Sequence, residues 1–577
     1  MKYVLNNENF KEDYAEKLIE SRGGDFNGMI NATLNDVEDP EKLDNIEKGA
    51  KLLFAALEQK DKTIFIIDDS DVDGFTSAAI IWLYIKRIAP DINLEFTVHS
   101  GKQHGLEDTI DEVINRKDLS LIIIPDASSN DYVYHHELRT AGIPILVLDH
   151  HLAEYYSPDA VVINNQLSER YLNKELTGAG VTYQFCRYLD RILDLDYAND
   201  YIDLAALGII SDMGSILSVE NFAIINEGLN KLDKNYFFST LIESQAYSLG
   251  DISRLDYTGI SFYITPLINA LIRVGTLEEK QNMFLAFVDG HKIVPSTKRG
   301  EKGLTEDIVT QVARNCKNAK TRQNKIKDAA MEKIAVKIFN DNLDENKVLV
   351  VKLDDEEDDF PSELNGLIAM NCASKYKRPT LVLRENDEGF LRGSARGLND
   401  SELKSFKDYL DSTNLFEYNM GHNNAFGSSI KKTNLDTFIN KANEDLKDFN
   451  FNTDCYEVNF IRDIIIDNDL EYLISDISCY KRLFGQGNRY PLILINNILI
   501  NNNNIQIIGK NKDTLKFEKN NVTFIKFFAK DMIEDVLKYD EIGLEIIGEA
   551  NLNYYGDRIT PQIIIKDYNL YDSSLIF

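Results

Sequence analysis

The first half of the chain alternates between short apolar runs and longer amphipathic segments. Strands are predicted at TIFIID, LEFTVH, LSLIIIPD, IPILVLDH and AVVIN, because each run is short, apolar and rich in branched side chains. Helices are predicted at TSAAIIWLYIKRIA and GVTYQFCRYLDRIL, where apolar residues recur every three or four positions. This alternation predicts a parallel sheet covered by helices on both faces.

The second half follows a different pattern. Residues 304–340 are polar, rich in lysine and free of Gly and Pro, which predicts one long exposed helix. A smaller α/β region starts at KVLVVKL and continues to about residue 450, after which short β runs such as PLILINN, VTFIKFFA and IGLEIIGEA dominate. The predicted fold class is α/β: a parallel-sheet domain and a smaller α/β domain joined by a long helix, followed by a C-terminal β-barrel.

Length, cysteine usage and charge narrow the class of protein. A chain of 577 residues is too long for a single core, and it contains no apolar run long enough for a membrane span. The five cysteines are scattered without a Cys-x-x-Cys pair, which argues against a zinc site and favours a reducing cytoplasm. The net charge of −31 disfavours nucleic-acid binding, unless a local basic surface or bound divalent cations reverse the sign there.

Acidic and imidazole side chains at four predicted strand ends are the strongest chemical signal. An extended segment would point Asp71 and Asp73 the same way, whereas His135 and His136 follow no strand and are expected at the surface. Four acidic ends in succession predict a metal site, although a single acid there is usually a helix cap. Carboxylates with imidazole suit Mn²⁺ or Mg²⁺, and two such ions form a hydrolytic site. The four ends carry Asp69, Asp71 and Asp73; Asp126; Asp149, His150 and His151; and Asp212.

Several segments carry a resemblance to a known family. The four motifs of the DHH phosphoesterase superfamily resemble DSDVDG, PDASS, LDHH and GIISDMG. RecJ-like exonucleases are indicated by ITPLINALIRVG, which is similar to their Pro-x-x-Asn-Ala-x-x-Arg run, by GSARG, and by MGHNNAFG, which is similar to their Gly-Gly-His motif. The start and end of their OB-fold domain resemble LFGQGNRYP and IIGEANLNYYGDRITPQIIIKDY. The resemblance covers almost the whole chain in family order, with Met420 in place of the first Gly of Gly-Gly-His.

The resemblance implies an architecture and an activity. It implies a DHH domain with an N-terminal segment at 1–290, a connecting helical region at 291–345, a DHHA1 domain at 346–450 and an OB-fold domain at 451–577. It implies a 5′→3′ exonuclease that uses two Mn²⁺ or Mg²⁺ ions to hydrolyse single-stranded DNA to 5′-mononucleotides in recombination, repair and replication. The implied setting is a cytoplasmic monomer without membrane attachment, with a single-stranded-DNA-binding protein or a helicase as candidate partners.

The resemblance also implies residue roles. The metal ligands would be Asp71, Asp73, Asp126, His150 and Asp212, and Asp126 would bridge both ions. Asp69 would orient one of these ligands without binding an ion itself. The catalytic group would comprise Asp149, which orients the imidazoles, and His151, which contacts the scissile phosphate or a metal. The nucleic-acid-binding residues would be Arg273, Ser394, Arg396, Gly421 and His422. The OB-fold domain would hold the trailing strand by stacking and phosphate contacts.

Three alternatives stay open at this point. One is a DHH-family phosphodiesterase acting on oligoribonucleotides or other small nucleotides, although such enzymes lack the terminal β domain. Another is a non-catalytic RecJ-like replication scaffold, although such proteins lose motif acids and this chain keeps all four motifs. The third is single-stranded RNA as the substrate, which the residues do not distinguish from DNA.

Overall fold

A computed structural model gives the structure of the chain. It describes residues 1–6, 10–101, 104–231, 235–249, 255–301, 303–354, 360–452, 454–555 and 558–572. The chain divides into two compact units, which we describe separately. The N-terminal unit comprises Gly24–Asn324 with Arg482–Asn488, and the C-terminal unit comprises Lys325–Lys481 and Arg489–Phe577 with Met1–Gly23. The first 23 residues therefore group with the C-terminal unit, whereas the expected DHH domain at 1–290 had included them.

The strands, in chain order, are β1 (Lys2–Leu5), β2 (Thr63–Asp68), β3 (Asn93–Val98), β4 (Leu119–Pro125), β5 (Ile145–Asp149), β6 (Val161–Asn164), β7 (Ile293–Pro295), β8 (Thr305–Asp307), β9 (Leu349–Leu353), β10 (Thr380–Glu385), β11 (Phe390–Arg396), β12 (Phe416–His422), β13 (Ala425–Lys431), β14 (Cys455–Val458), β15 (Phe460–Asp463), β16 (Leu492–Asn501), β17 (Ile505–Ile508), β18 (Thr514–Lys519), β19 (Val522–Lys526), β20 (Glu541–Tyr555) and β21 (Arg558–Tyr571).

The α-helices are α1 (Tyr14–Ser21), α2 (Phe26–Ile30), α3 (Ile46–Leu57), α4 (Val72–Ile88), α5 (Ile110–Val113), α6 (Tyr132–Thr140), α7 (Gly178–Leu193), α8 (Ile202–Ser211), α9 (Val219–Asn230), α10 (Tyr236–Ser244), α11 (Ala246–Leu249), α12 (Tyr257–Gly259), α13 (Thr265–Val274), α14 (Leu277–Val288), α15 (Ile308–Asn340), α16 (Asn365–Tyr376), α17 (Phe406–Thr413), α18 (Leu435–Asp445), α19 (Leu470–Cys479) and α20 (Lys530–Val536).

The N-terminal unit is built on a five-stranded parallel sheet in the order β3-β2-β4-β5-β6. Every residue of β2, β4 and β5 is buried, because helices cover both faces. Alternate residues such as Phe65, Ile122 and Val147 pack on one face against apolar side chains of α5 and α6, while α3 and α7 contact the sheet elsewhere. The five predicted strands and the parallel sheet are therefore confirmed.

The C-terminal unit contains two further sheets. The smaller has five strands in the order β12-β13-β11-β10-β9, in which only β9 and β10 are parallel. The larger has seven strands in the order β15-β16-β20-β21-β19-β18-β17 and contains the predicted C-terminal β runs. The chain start joins this unit because β1 pairs in parallel with β14.

The predicted long helix is α15, which spans 33 residues. The boundary between the two units falls inside it, after Asn324. The α/β fold class predicted from the sequence is thus confirmed. Within the described parts of the chain, we find no helix with the length and apolarity needed to cross a membrane.

Candidate metal centre and active site

The first acidic motif lies at a helix start, not along an extended strand. Helix α4 begins at Val72, and its N-cap is Asp71, whose Oδ1 accepts a hydrogen bond from the Gly74 amide at 3.0 Å. Asp73 then falls in the first turn of α4 and is buried. The expectation that Asp71 and Asp73 point the same way on an extended segment is therefore wrong. A carboxylate placed three residues before a glycine amide is a strong N-cap, and it starts the helix early.

The N-terminus of α7 binds the Asp73 carboxylate. Its Oδ1 accepts hydrogen bonds from Thr177 Oγ1 at 3.0 Å and from the Ala179 amide at 3.1 Å, and its Oδ2 accepts one from the Gly178 amide at 2.7 Å. These amides are the unpaired donors at the positive end of a helix. Burial, reinforced by the charge of Asp71, nevertheless raises the pKa of Asp73 to about 6. Asp73 is thus fixed in place, but added positive charge would still stabilise its ionised form.

Asp126 follows β4 in a backbone conformation that is unusual for a residue with a side chain. Its φ is 67°, and its amide donates to the Leu148 carbonyl of β5 at 2.7 Å. The carboxylate is buried, and its Oδ1 accepts no hydrogen bond from any described residue. Burial, together with Asp73 and Asp71, raises the pKa of Asp126 well above its ordinary value. A strained backbone and a buried carboxylate with a raised pKa are typical of a functional site.

Asp149 organises the loop that carries the two histidines. Its Oδ1 accepts hydrogen bonds from the His150 amide at 2.7 Å, the His151 amide at 3.1 Å and His151 Nδ1 at 2.8 Å. Its Oδ2 accepts one from the Ser129 amide at 3.0 Å. Burial opposes ionisation of Asp149, but His151 and these donors outweigh it and hold the pKa well below the usual range. Burial lowers the pKa of His151, but the charge of the nearby Asp149 carboxylate and its hydrogen bond act against burial, and the net effect raises the pKa to about 10.

His150 lies where three carboxylates converge. Its Nε2 is 3.2 Å from Asp126 Oδ1, 3.5 Å from Asp212 Oδ2 and 4.0 Å from Asp73 Oδ2. Asp212 follows the last turn of α8, so the expectation of a fourth strand end is wrong; a buried helix and a buried strand both read as apolar runs. Burial and the charges of Asp73 and Asp71 raise the pKa of Asp212 well above its ordinary value.

The donor atoms of this site form three overlapping groups, within each of which they lie no more than 4.8 Å apart. The groups are Asp126, Asp149, His150 and His151; Asp73, His150 and Asp212; and Asp69, Asp71 and Asp126. Oxygen and imidazole donors suit hard divalent cations. Burial raises the pKa values of Asp73, Asp126 and Asp212, so added positive charge would stabilise their ionised forms. The side chains therefore fit divalent cations.

Three polar residues near the site were not recognised from the sequence, or were misplaced. Asn164, at the end of β6, donates through Nδ2 to Ser129 Oγ at 2.8 Å and to the His151 carbonyl at 2.9 Å, and so connects the loops that follow β4 and β5. His104 pairs through Nδ1 with Asp69 Oδ2 at 2.6 Å. His135 is fully buried, which corrects the expected surface position, whereas His136 is exposed as expected. Asn164 could have been predicted, because it ends a recognisable strand. The sequence contains no pattern that predicts the role of His104, which is an isolated histidine in a loop.

Arg273 lies near the first motif. It is on α13, where burial lowers its pKa and the charge of Asp71 opposes that shift. A π-helical turn at Ile260–Ile264 precedes α13. Pro266 explains this turn, because proline has no N–H and its ring clashes with the carbonyl four residues earlier. Because the charge of Asp71 acts on the Arg273 guanidinium, Arg273 lies within electrostatic reach of the acidic motif.

The other predicted nucleic-acid-binding residues form a group of their own in the C-terminal unit. Arg396 and His422 both pair with Ala425 across β13, and Ser394 and Met420 both pair with Gly427. Paired residues, and residues two apart on one strand, share a sheet face. Ser394, Arg396, Met420 and His422 therefore flank the small Ala425 and Gly427 on one face.

Two glycines allow close approach around that face. Gly421 has a φ of 131°, and a Cβ there would lie 2.9 Å from the Ala425 carbonyl oxygen, so a side chain would not fit. Gly366, in the first turn of α16, lies against the same face. A Cβ on it would lie 2.5 Å from an Arg396 Nη atom and 3.6 Å from Ser394 Oγ. The start of α16 thus lies beside a guanidinium and a hydroxyl.

Comparison with known proteins identifies the family. The model described as "DHH family, N-terminal domain" matches residues 63–209, and "RecJ OB domain" matches residues 473–567. YorK, an SPbeta prophage protein of Bacillus subtilis strain 168 named as a candidate single-strand DNA-specific exonuclease, is 37% identical over 582 residues, which cover 98% of each chain. The chain belongs to the RecJ family of DHH proteins.

Other relatives of this RecJ-like chain are more distant. RecJ of Bacillus subtilis, named as a single-stranded-DNA-specific exonuclease, is 24% identical over 92% of this chain and 64% of its own length. The crystal structure of RecJ with Mn²⁺ from Thermus thermophilus matches with a TM-score of 0.68 at 20% identity, covering 91% of this chain and 72% of that one. At that identity, the likeness establishes the fold that the two chains share.

This RecJ-like chain departs from the family-like Gly-Gly-His motif at Met420. Met420 stands where the Gly-Gly-His motif has its first glycine, and its side chain is 68% exposed. Because Met420 shares its sheet face with Ser394, Arg396 and His422, its side chain occupies space that a glycine would leave open.

Proposed function

We propose that this RecJ-like chain is a metal-dependent exonuclease that hydrolyses single-stranded DNA in the 5′→3′ direction and releases 5′-mononucleotides. The observation that carries the proposal is the convergence of three carboxylates on His150 Nε2, all within 4.0 Å. The names of the relatives support single-stranded DNA as the substrate. The direction of cleavage and the product rest on the family resemblance.

The metal ligands we propose are Asp71, Asp73, Asp126, His150 and Asp212, which would hold two Mn²⁺ or Mg²⁺ ions. Bound there, such ions supply charge for the phosphate oxygens and lower the pKa of an attacking water. The chain's own residues arrange the substrate. Asp149 holds His151 through Nδ1, and this leaves the protonated imidazole as a donor for the scissile phosphate. Asp149 is thus a positioning residue, and His151 is the contact residue.

The strand end would be bound by two groups of side chains. Arg273 supplies a guanidinium near Asp71 in the N-terminal unit. In the C-terminal unit, Arg396 and Ser394 lie beside the first turn of α16, which is a favourable arrangement for a phosphate. His422 lies on the same face, and Gly421 permits the tight strand pairing that places it there. We propose that Ser394, Arg396, Gly421 and His422 bind the terminal nucleotide or its phosphate, and that Arg273 supplies a phosphate contact of its own.

The OB-fold part offers a surface for the trailing strand. Phe527 and Phe528 are 50% and 88% exposed, and Phe528 has a φ of 53°, which is unusual for an aromatic residue. The Ala529 amide donates to the Asp513 carbonyl, which brings the loop containing Lys510 and Lys512 beside them. Exposed aromatic side chains next to lysines suit the bases and phosphates of a single strand. We propose that this basic-aromatic surface binds the strand beyond the active site.

The cellular role and domain limits are also proposals. We propose action in DNA recombination, repair and replication, as a cytoplasmic monomer that works with a single-stranded-DNA-binding protein or a helicase. The proposed limits are 1–290 for the DHH domain, 291–345 for the connecting region, 346–450 for DHHA1 and 451–577 for the OB fold. Their support is the family order of the motifs, together with the family match at 473–567.

Digestion of end-labelled substrates tests the proposal. Single-stranded DNA, duplex DNA, single-stranded RNA and a dinucleotide would be incubated with Mn²⁺, with Mg²⁺ and with EDTA. We expect 5′-mononucleotides from single-stranded DNA with either metal and no product in EDTA. Preferred cleavage of the dinucleotide would favour the small-nucleotide phosphodiesterase, and no cleavage under any condition would favour the scaffold. Undiminished cleavage in EDTA would reject the metal centre.

Variants test the assigned residues. Because Asp126 and His150 belong to the converging donors, Asp126→Ala and His150→Ala should each lower the rate on the order of a thousandfold or more. His136→Ala is the matched control, because His136 is an exposed imidazole that pairs with Asp159 away from the site. Its rate should equal that of the wild type. Near-normal activity of Asp126→Ala or His150→Ala would show that the ligand assignment is wrong.

A further inference from the structure

His104 is an imidazole that none of the family-like motifs accounts for. Its side chain is 47% exposed, and its Nδ1 lies 2.6 Å from Oδ2 of Asp69, whose side chain is only 1% exposed. An imidazole N–H that donates to a buried carboxylate is a strong, directional contact.

The loop that carries His104 is anchored next to the active site. The Leu106 amide donates to Asp131 Oδ2 at 3.0 Å, and Ser128 Oγ donates to the same oxygen at 2.7 Å. Ser128 lies two residues after Asp126. Gly105 fits against this anchor, because a Cβ on it would lie 2.2 Å from Asp131 Oδ2. The position of His104 is thus determined by the same loop that presents Asp126.

The two oxygens of Asp69 have different surroundings. Oδ2 receives the His104 hydrogen bond, while Oδ1 is buried and accepts none from the described residues. A carboxylate oxygen of Asp69 lies within 4.8 Å of ligand atoms of Asp71 and Asp126. Gly74 of α4 packs closely against Asp69, because a Cβ on Gly74 would lie 2.6 Å from the Asp69 Cβ. One oxygen is therefore held by His104, and the other is available to the acidic cluster.

We infer that His104 is a positioning residue: it holds Asp69 Oδ2 so that Oδ1 is presented, with Asp71 and Asp126, to a divalent cation. Hydrogen bonds to the far side of a metal-binding carboxylate fix its orientation, and their loss typically weakens metal binding ten- to a hundredfold. This inference rests on the metal-dependent function proposed above. It adds a residue from outside the four motifs to the metal centre.

The test measures Mn²⁺ binding directly, by isothermal titration calorimetry and by the electron paramagnetic resonance signal of free Mn²⁺. His104→Ala should weaken binding at one site about ten- to a hundredfold. His104→Asn should retain most of the affinity, because its amide nitrogen occupies the position of Nδ1. His104→Gln, which places its nitrogen near the Nε2 position, should not. His136→Ala is the matched control, since it also removes an imidazole that pairs with an aspartate through Nδ1, and it should bind Mn²⁺ like the wild type.

A double-mutant cycle separates positioning from a general structural effect. In an Asp69→Ala background, His104→Ala should cause no further loss of Mn²⁺ affinity. Wild-type affinity in His104→Ala, equal affinities in the Asn and Gln variants, or an undiminished loss in the Asp69→Ala background would overturn the inference. If His104→Ala does not fold, the comparison of Asn with Gln makes the same test. Failure of the wild type to bind Mn²⁺ would instead reject the proposed function.

Discussion

Two buried aspartates at neighbouring strand ends have opposite electrostatic environments. Asp149 accepts hydrogen bonds from two amides and an imidazole on one oxygen and from a third amide on the other. Asp126 Oδ1 accepts none from the described residues. The pKa of Asp149 is accordingly held low, while that of Asp126 is raised by burial and by its acidic neighbours. The hydrogen bonds to Asp149 therefore stabilise its ionised form within the protein, whereas added positive charge would stabilise the ionised form of Asp126.

The stability of the metal-free protein should reveal this difference. Asp126→Asn should leave the free energy of unfolding in EDTA unchanged or raise it, because it removes repulsion from Asp73 and Asp71. Asp149→Asn should lower it by about 1–3 kcal/mol, because an amide cannot accept from donors on both of its sides. Urea unfolding at neutral pH measures both. Equal destabilisation by the two substitutions would contradict the distinction.

The residue scale also shows where sequence reasoning succeeds and where it does not. The acids and histidines of the four motifs could be predicted, because each sits at the end of a recognisable element. His104 could not, because its partner Asp69 is 35 residues away in the chain and the pair exists only after folding. The burial of His135 beside Ser128 was missed for the same reason.

At the scale of elements, two helix N-termini build the first motif. Asp71 caps α4, and the amides at the start of α7 bind Asp73. The strands could be predicted from their apolar runs, and so could α15, from its unbroken polar pattern. The role of TGAG at the start of α7 could not, because its donors act on a carboxylate 105 residues earlier. Likewise, Asp212 was predicted as a site residue but on the wrong kind of element.

Gly178→Ala tests how closely α7 must approach the site. A Cβ at this position would lie 2.3 Å from Asp126 Oδ1, so the substitution should displace the Asp126 carboxylate or the helix start. We expect weakened Mn²⁺ binding and a loss of nuclease rate of tenfold or more, with the far-ultraviolet circular dichroism retained. Gly290→Ala is the control in the same unit, because a Cβ there would meet nothing closer than 3.3 Å. Normal Mn²⁺ binding by Gly178→Ala would contradict the close-approach argument.

At the scale of the whole molecule, the proposed function requires a chain with a net charge of −31 to bind a polyanion. Many lysines of the C-terminal unit cannot contribute, because acidic side chains neutralise them; examples are Lys404 with Glu457, Lys447 with Glu444 and Lys538 with Asp535. The exposed Lys510, Lys512 and Lys530 form no ion pair with any described residue. The general acidity should oppose non-specific duplex binding, while the basic-aromatic surface attracts a strand locally.

Salt dependence of single-strand binding measures that local contribution. The affinity of a labelled single strand would be titrated at several salt concentrations, with Ca²⁺ in place of Mn²⁺ to prevent cleavage. Each lysine that neutralises a phosphate contributes about 0.7 to the slope of log affinity against log salt, so replacing Lys510, Lys512 and Lys530 with Ala should reduce the slope by about 2. Replacing the ion-paired Lys404, Lys447 and Lys538 is the matched control and should leave it nearly unchanged. Phe527→Ala with Phe528→Ala should weaken binding at every salt concentration without changing the slope, because stacking releases no counterions. Equal slopes for the two lysine variants, or unchanged affinity after loss of both phenylalanines, would show that the strand does not bind this surface.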